Sequence, residues 1–313
     1  MAAPFAARAQ HRAMPIIAWL SGSSPAPSIN PNAIAFREGL AEAGFVEGRT
    51  VAFENRWADG YFDRLQILAV ELADRRVDLI VAIGDPAAHA ARIATSSIPI
   101  VFIGGDDPVA AGLGADMARP RGNVTGVTVL TGELNPKRLE LLLELMPTAR
   151  SIGLLVNPQN PAIGRVIQIM QQAAGTSGRP LRVLSASSDS EIDAAIAGLV
   201  DRKLDALVVD ADQAFAIAGS RIVDLAARNG IPAVYGFRNS PESGGLISYG
   251  ANLATIFRQA GVYAGKILAG KKPSDLPILR PEKFELVVNM RTAKALGLKV
   301  PPSILARADE ILE

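Results

Sequence analysis

Short apolar runs alternate with helical patterns along this chain, and the alternation occurs twice, which limits the possible folds more than any other feature. The runs are continuously apolar and do not alternate with polar residues. This pattern predicts strands of a parallel sheet that helices cover on both faces. The predicted strands are residues 16–20, 51–54, 77–83, 98–103 and 124–130 in the first half, and residues 152–156, 181–184, 206–209, 233–235 and 246–248 in the second half.

Helical patterns separate these runs in both halves. Each half therefore reads strand, helix, strand, helix, strand, helix, strand, which predicts an α/β fold of two doubly wound parallel-sheet lobes. A length of 313 residues agrees with about two domains of ordinary size. The predicted helices are residues 33–43, 62–75, 87–95, 163–174, 191–201 and 215–228, followed by a longer helix at residues 253–268.

The two halves also resemble each other in sequence. Residues 77–81 (V-D-L-I-V) match residues 204–208 (L-D-A-L-V), and residues 98–101 (I-P-I-V) match residues 231–234 (I-P-A-V), in the same order and at similar spacing. The long helix that follows the second half indicates that the chain crosses between the lobes several times, which would form a hinge. We expect a tail at residues 1–15, a first lobe of residues 16–130 and 250–272, and a second lobe of residues 131–249 and 273–313.

The start of the chain carries a motif typical of exported proteins. Ala7-Arg8-Ala9 has the A-x-A form of a signal-peptidase site, with Gln10 as the first mature residue. We expect this segment to be the remnant of a signal peptide, and the alternative is a disordered cytosolic tail. No uninterrupted apolar run reaches the ~18 residues of a membrane-spanning helix, so we expect a chain that does not itself span a membrane.

Composition and missing motifs argue against several classes of function. Thirty-two basic and 31 acidic residues leave a net charge of +1, which gives no electrostatic reason to expect a nucleic-acid partner. There is no cysteine and there are two histidines, so thiol catalysis and thiolate or His-rich metal centres are excluded. G-x-G-x-x-G and G-x-S-x-G motifs are absent, and residues 261–266 (G-V-Y-A-G-K) miss the phosphate-loop spacing and lie in a predicted helix. We expect neither catalysis nor a cofactor or metal.

Polar and aromatic residues cluster where doubly wound folds place ligands, at the carboxyl ends of the predicted strands. The helix start at residues 85–87 would offer N–H groups to a carboxylate, and Asp210 is the expected partner of an ammonium group. The alternative for Asp85, Asp107 and Asp210 is that each only caps the helix after it. The predicted ligand contacts are Ser21, Trp57, Gly84, Asp85, Phe102, Asp106 and Asp107 in the first lobe, and Asn157, Asp210, Tyr235 and Tyr249 in the second lobe.

Several short motifs occur in one order along nearly the whole chain, from Ile16 to about Pro301. They include Gly84-Asp85-Pro86-Ala87-Ala88, Asp106-Asp107-Pro108-Val109, Gly122-Asn123-Val124-Thr125-Gly126, Asn157-Pro158-x-Asn160-Pro161, Gly244-Gly245-Leu246-x-Ser248-Tyr249-Gly250 and Gly265-Lys266-Ile267-Leu268-x-Gly270. On these residues the chain resembles the substrate-binding proteins of ABC transporters, specifically the two-lobed family that includes tryptophan-type amino-acid binders. The resemblance implies a type I periplasmic-binding-protein fold, export to the periplasm, and delivery of a solute to a membrane permease driven by a partner ATPase.

Two other classes of protein remain open at this point. A ligand-sensing regulator has the same two-lobed core, but it needs a DNA-binding headpiece ahead of the first strand. A cleft enzyme would have to work without cysteine and with His89 as its one candidate imidazole outside the tail. If the chain is a binding protein, its strand-end residues suit an amino acid or an aromatic or other small carboxylate as the solute. We expect the protein to be a monomer.

Overall fold

The structure is a computed structural model, and it describes residues 14–25, 30–105, 108–109, 112–113, 116–120, 122–160 and 163–313. The predicted signal-peptidase site at residues 7–10 therefore lies outside the described residues.

The first sheet is built from the first half of the chain. Its strands are parallel, in the order β2-β1-β3-β4-β5. They are β1 (Ile16–Ser21), β2 (Ala52–Trp57), β3 (Leu79–Ile83), β4 (Ile100–Ile103) and β5 (Val124–Val127).

Helices cover both faces of this sheet, which explains why its strands are continuously apolar. On one face Trp19 contacts Phe36 at 5.3 Å and Phe257 at 5.9 Å between ring centroids. On the other face Phe102 lies in a core with Leu65 and other residues of the covering helices. We call this unit the first lobe, and its early helices are α1 (Pro31–Glu42), α2 (Arg64–Asp74) and α3 (Asp85–Ala94).

The second sheet is larger and, unlike the sequence-based expectation, partly antiparallel. Its order is β12-β11-β10-β9-β8-β6-β7, and β10 and β11 are antiparallel because β11 returns along β10 after the chain has visited the first lobe. β11 and β12 were not predicted. We call this unit the second lobe. Its strands are β6 (Ile152–Val156), β7 (Leu181–Ser185), β8 (Ala206–Val209), β9 (Ala233–Tyr235), β10 (Ile247–Ala251), β11 (Phe284–Asn289) and β12 (Glu310–Leu312).

The remaining helices include one that belongs to the first lobe, although it follows β10 of the second. This helix, α10, packs lengthwise on α1. The predicted helix at residues 215–228 is divided into two at Ala218, directly before Gly219, a residue with low helix propensity. The helices are α4 (Asn135–Leu145), α5 (Ile163–Thr176), α6 (Asp189–Asp201), α7 (Gln213–Ile217), α8 (Gly219–Arg228), α9 (Asn239–Glu242), α10 (Leu253–Leu268), α11 (Met290–Ala295) and α12 (Pro302–Leu305).

The chain passes between the lobes after β5, after β10 and before β11. The third passage comes later in the structure than residue 273, where we expected the lobe boundary. Leu276 and Leu279 still pair with the edge strand β5, where the Thr125 hydroxyl donates to the Leu276 carbonyl at 2.8 Å and the Thr128 N–H donates to the Leu279 carbonyl at 2.8 Å. These bonds satisfy polar groups that would otherwise be buried unpaired at the sheet edge.

The α/β architecture of two lobes that the sequence predicts is confirmed. None of the helices formed by the described residues has the length and apolar character that crossing a bilayer requires.

Candidate functional site

The carboxyl ends of the first-lobe strands form one polar edge. In the register of the sheet, Ser21 lies beside Trp57 on one side and beside Ile83 on the other. Gly84 and Asp85 continue directly from β3. The structure therefore brings Ser21, Trp57, Gly84 and Asp85 to the same edge, as the parallel arrangement predicts.

Ser21 is buried, and its hydroxyl is used by the loop that follows it. The Ser21 and Ser23 hydroxyl oxygens lie 2.9 Å apart, and the Ser23 N–H donates to the Ser21 hydroxyl at 3.2 Å. Ser21 therefore shapes the turn after β1, whereas Ser23 is partly exposed at the edge.

Asp85 is the first residue of α3, and Gly84 is its N-cap residue. The alternative that Asp85 is the N-cap is therefore wrong. Gly84 has a φ of +85°, which places Asp85 over the loop after β4, where a β-carbon at Gly105 would lie 2.6 Å from the Asp85 carboxylate. The start of α3 combines a partial positive charge from the helix with the half-buried Asp85 carboxylate.

In the second lobe, Asp212 is the residue that caps α7. Its carboxylate accepts the Ala214 N–H at 2.8 Å and the side-chain amides of Asn157 and Asn160, each at 3.0 Å. Asn157 is a predicted site residue, and this contact joins the loop after β6 to the loop after β8. Asp212 is not among the ligand contacts predicted from the sequence, although an aspartate at the start of a helix is a typical cap.

Asp210 directly follows β8 and lies in a buried polar chain of the second lobe. It is 3% exposed, and its carboxylate accepts the Asn135 side-chain amide at 2.7 Å and the Ala211 N–H at 3.0 Å. The Asn135 oxygen in turn accepts from Arg138 at 2.6 Å. Arg138 is 1% exposed and also donates to the Thr131 carbonyl, in the first passage between the lobes, at 2.7 Å and to the Tyr249 carbonyl of β10 at 2.8 Å.

Two of the predicted aromatic contacts lie in the cores and not at the edges. Phe102 is 1% exposed beneath α2 and α3, and Tyr235 is 3% exposed in a core with Phe215 and Ile222. Side chains alternate between the two faces of a strand, and both residues point to a face that helices cover. Burial raises the pKa of the Tyr235 hydroxyl well above its ordinary range.

Three other aromatic residues are partly exposed. Trp57 packs on the first-lobe core that contains Trp19, and Phe237, which follows β9 of the second lobe, packs on that same core. Phe237 is not among the ligand contacts predicted from the sequence. Tyr249 stacks on Phe284, with ring centroids 6.2 Å apart.

The predicted residues Asp106 and Asp107 lie outside the described residues.

One side chain bonds the two lobes directly. The Gln213 amide, at the start of α7, donates to the Ile83 carbonyl at the end of β3, at 3.1 Å. The polar edges of the two lobes therefore face each other across a cleft.

Within the described part of the chain, no group of three or more His, Asp or Glu side chains could hold a metal ion.

Comparison with known proteins gives one consistent result. The family model described as ABC transporter substrate binding protein matches residues 24–312. A tyrosine-binding protein from Clostridioides difficile (strain R20291) is 29% identical over 273 residues, which are 87% of this chain and 78% of that protein.

Two solved structures are similar over 95% of this chain and 99% of theirs. One is an ABC domain from Streptococcus pneumonia in complex with L-Trp, which has 26% sequence identity and a TM-score of 0.87. The other is a substrate-binding protein with adhesive properties from Clostridium difficile in a ligand-free, open structure, which has 28% identity and a TM-score of 0.69.

Proposed function

The chain belongs to the family of ABC transporter substrate-binding proteins, and we propose that it carries an aromatic amino acid to the permease of an importer. The family resemblance that the sequence motifs indicated is confirmed by the match over residues 24–312. Proteins of this family bind a solute outside the cytoplasm and do not transform it. The proposal for this chain concerns the solute, its delivery and the periplasm as the compartment.

The observation that carries the proposal is the contact between the two polar edges through Gln213 and Ile83. Because Ile83 ends a strand of the first lobe and Gln213 starts a helix of the second, their hydrogen bond requires the cleft to be closed. The higher TM-score to the L-Trp complex than to the ligand-free, open structure, at equal coverage, supports the same arrangement. A cleft that closes between two lobes is suited to enclosing a small solute.

The partly exposed aromatic residues support an aromatic solute. Trp57 from the first lobe and Phe237 from the second pack on one core, and both keep exposed surface. Aromatic rings that contact each other gain about 0.5–1.5 kcal/mol beyond the burial of their area. The relatives named for tyrosine and L-Trp binding agree with a solute of this kind.

The charged ends of the solute are assigned to the edge of the first lobe. Asp85 is half-buried at the start of α3 and would receive the ammonium group, while backbone N–H groups of that helix would receive the carboxylate. Asp210 was the sequence-based choice for the ammonium group. Its burial and its bonds to Asn135 and Ala211 favour a structural role instead.

Calorimetric titration of the purified chain with L-tyrosine, L-tryptophan and L-phenylalanine tests the proposal, with L-alanine and D-ribose as comparison solutes. We expect at least one aromatic amino acid to bind and the comparison solutes not to bind. At a solute concentration of 100 times the Kd, binding adds about 2.7 kcal/mol to the free energy of unfolding, which raises the melting temperature. Binding of D-ribose without any aromatic amino acid would contradict the proposed solute class.

Delivery and location are tested in cells. Loss of the gene is expected to reduce uptake of the radiolabelled amino acid that binds in vitro, and the intact gene is expected to restore that uptake. Osmotic-shock fractionation is expected to release the protein with other periplasmic proteins. Normal uptake after loss of the gene, or recovery of the protein only from the cytosol, would contradict this part of the proposal.

A further inference from the structure

Gln213 projects from a rigid support. It is the first residue of α7, and the preceding residue, Asp212, is held by the Ala214 N–H and by the side-chain amides of Asn157 and Asn160. The two bonds from Asn157 and Asn160 join the loops after β6 and β8. The backbone beside Gln213 is therefore held in place by the second lobe.

The amide of Gln213 fits between two glycines of the first lobe. A β-carbon at Gly84 would lie 2.6 Å from the amide carbon of Gln213 and closer still to its oxygen, and a β-carbon at Gly22 would lie 3.6 Å from the amide nitrogen. The amide nitrogen donates to the Ile83 carbonyl at 3.1 Å. The amide oxygen is buried and has no hydrogen-bond partner among the residues that the structure describes.

We propose that Gln213 and Gly84 form a closure latch, a contact between the lobes that exists only when the cleft is closed and that slows release of the solute. This inference rests on the proposed function and assigns a positioning role to a residue pair of its site. A hydrogen bond present only in the closed form stabilises that form relative to the open one. Solute leaves through the open form, so the contact acts on the dissociation rate more than on the association rate.

The latch also explains why residue 84 is glycine. Its φ of +85° and ψ of 157° disfavour other residues, and in addition a β-carbon in the closed form would force the Gln213 amide to move. The two effects can be separated, because the double variant of Gly84→Ala and Gln213→Ala keeps the backbone strain and removes the collision. Gly44 of the same lobe also has a φ of +85°, with nothing within 4 Å of the place a β-carbon would take. Gly44→Ala therefore places an alanine at positive φ without any collision between the lobes.

The experiment measures the dissociation rate of L-tyrosine by stopped-flow fluorescence for Gln213→Ala, Gly84→Ala, their double variant and Gly44→Ala. We expect Gln213→Ala to dissociate about 3- to 10-fold faster, which corresponds to one net hydrogen bond. Gly84→Ala is expected to dissociate faster still because its methyl group meets the amide. The decisive expectation is that the double variant holds L-tyrosine more tightly than Gly84→Ala alone, since removal of the glutamine side chain removes the collision.

Gly44→Ala should lower the melting temperature and leave dissociation unchanged. Gln172→Ala, an exposed glutamine of α5, is the matched control for the amide. Additive effects of Gly84→Ala and Gln213→Ala on the dissociation rate would overturn the latch.

A second measurement does not depend on the identity of the solute. The chain contains no native cysteine, so spin labels can be placed at Arg92→Cys in the first lobe and Gln171→Cys in the second, both exposed. We expect Gly84→Ala to reduce the short-distance population of the labels and the double variant to recover it. If L-tyrosine does not bind but this pattern is found, the proposed solute fails and the latch stands. If no short-distance population occurs in the parent chain with or without L-tyrosine, the latch is wrong.

Discussion

Asp210 and Asp212 are two residues apart after β8, and only their hydrogen bonds distinguish their roles. The sequence allows either of them to cap the following helix or to bind a solute. In the structure Asp212 takes an extended conformation with ψ of 149° and meets Asn157 and Asn160, which are more than fifty residues away in sequence. Contacts between such distant residues cannot be predicted from one sequence, so the choice of Asp210 as the ammonium partner was based on its position alone.

The first prediction concerns Asp210. We expect Asp210→Ala to reduce the free energy of unfolding by about 1–3 kcal/mol, because the buried Asn135 side-chain amide then loses its acceptor, and Asn135 in turn accepts from the buried Arg138. Affinity for the aromatic amino acid is expected to change by less than about 3-fold. Urea unfolding and calorimetry measure the two quantities.

The matched control is Asp224→Ala, which removes an exposed ion pair with Arg228 and should change stability by about 0–1 kcal/mol. Asp210→Asn separates charge from hydrogen bonding, because asparagine can still accept from Asn135. If Asp210→Asn keeps the melting temperature of the parent and weakens binding 10-fold or more, Asp210 contacts the ammonium group and its structural assignment is wrong.

The second prediction concerns Trp57, which lies at the polar edge beside Ser21. We expect Trp57→Leu to weaken binding of the aromatic amino acid about 2- to 10-fold, because leucine retains apolar bulk but loses the ring contact. Calorimetry gives the affinity, and Tyr61→Leu, at an aromatic residue that is 64% exposed, is the control. Equal affinity of Trp57→Leu and the parent chain would exclude Trp57 from the site.

At the scale of elements, α1 and α10 show why a motif-like segment can be misleading. Residues 261–266 resemble a phosphate loop in composition but lie inside α10. A β-carbon at Gly261 would lie 2.9 Å from the Leu40 nitrogen and closer still to the Phe36 carbonyl, and one at Gly39 would meet the Arg258 carbonyl. The glycines therefore allow the backbones of two helices to approach, and α10 is held on the first lobe through this contact.

The third prediction follows from this contact. We expect Gly261→Ala to lower the free energy of unfolding by about 1–3 kcal/mol, because the added methyl group must push the two helices apart. Gly175→Ala is the control: Gly175 lies in α5 with nothing within 4 Å of the place a β-carbon would take, so alanine should stabilise the chain by about 0.5–1 kcal/mol. Chemical unfolding measures both changes. Stabilisation by Gly261→Ala would contradict the close approach.

The elements that the sequence predicts best are those with local signals. The long helix at residues 253–268 and the strands at residues 152–156 and 206–209 have the predicted bounds, because apolar runs and flanking polar residues mark them. β11 was missed because its place depends on pairing with β10, to which the chain returns only after α10. The break between α7 and α8 was also missed, since one glycine in an otherwise helical pattern does not determine where a helix divides.

At the scale of the whole molecule, sequence predicts two lobes and several passages between them but not their relative orientation. That orientation depends on a few contacts between residues distant in sequence. Besides Gln213 with Ile83, Glu133 and Arg280 form an ion pair at 2.7 Å between two of the passages. Both of these side chains are partly exposed, so the pair adds little to stability. Two orientations of the lobes can therefore have similar free energies, and solute can shift their populations.

The fourth prediction is that solute shifts the molecule from an open to a closed arrangement. Contacts from both lobes to one solute form together only in the closed form, so binding energy favours that form. Small-angle scattering of the solute-free chain is expected to give a larger radius of gyration than scattering at a saturating concentration of the aromatic amino acid that binds. Gly84→Ala supplies the control, because its methyl group collides with the Gln213 amide in the closed form and should prevent part of the compaction. If the parent chain scatters identically with and without solute at saturation, the cleft is rigid, and closure cannot be the means by which this protein retains its solute.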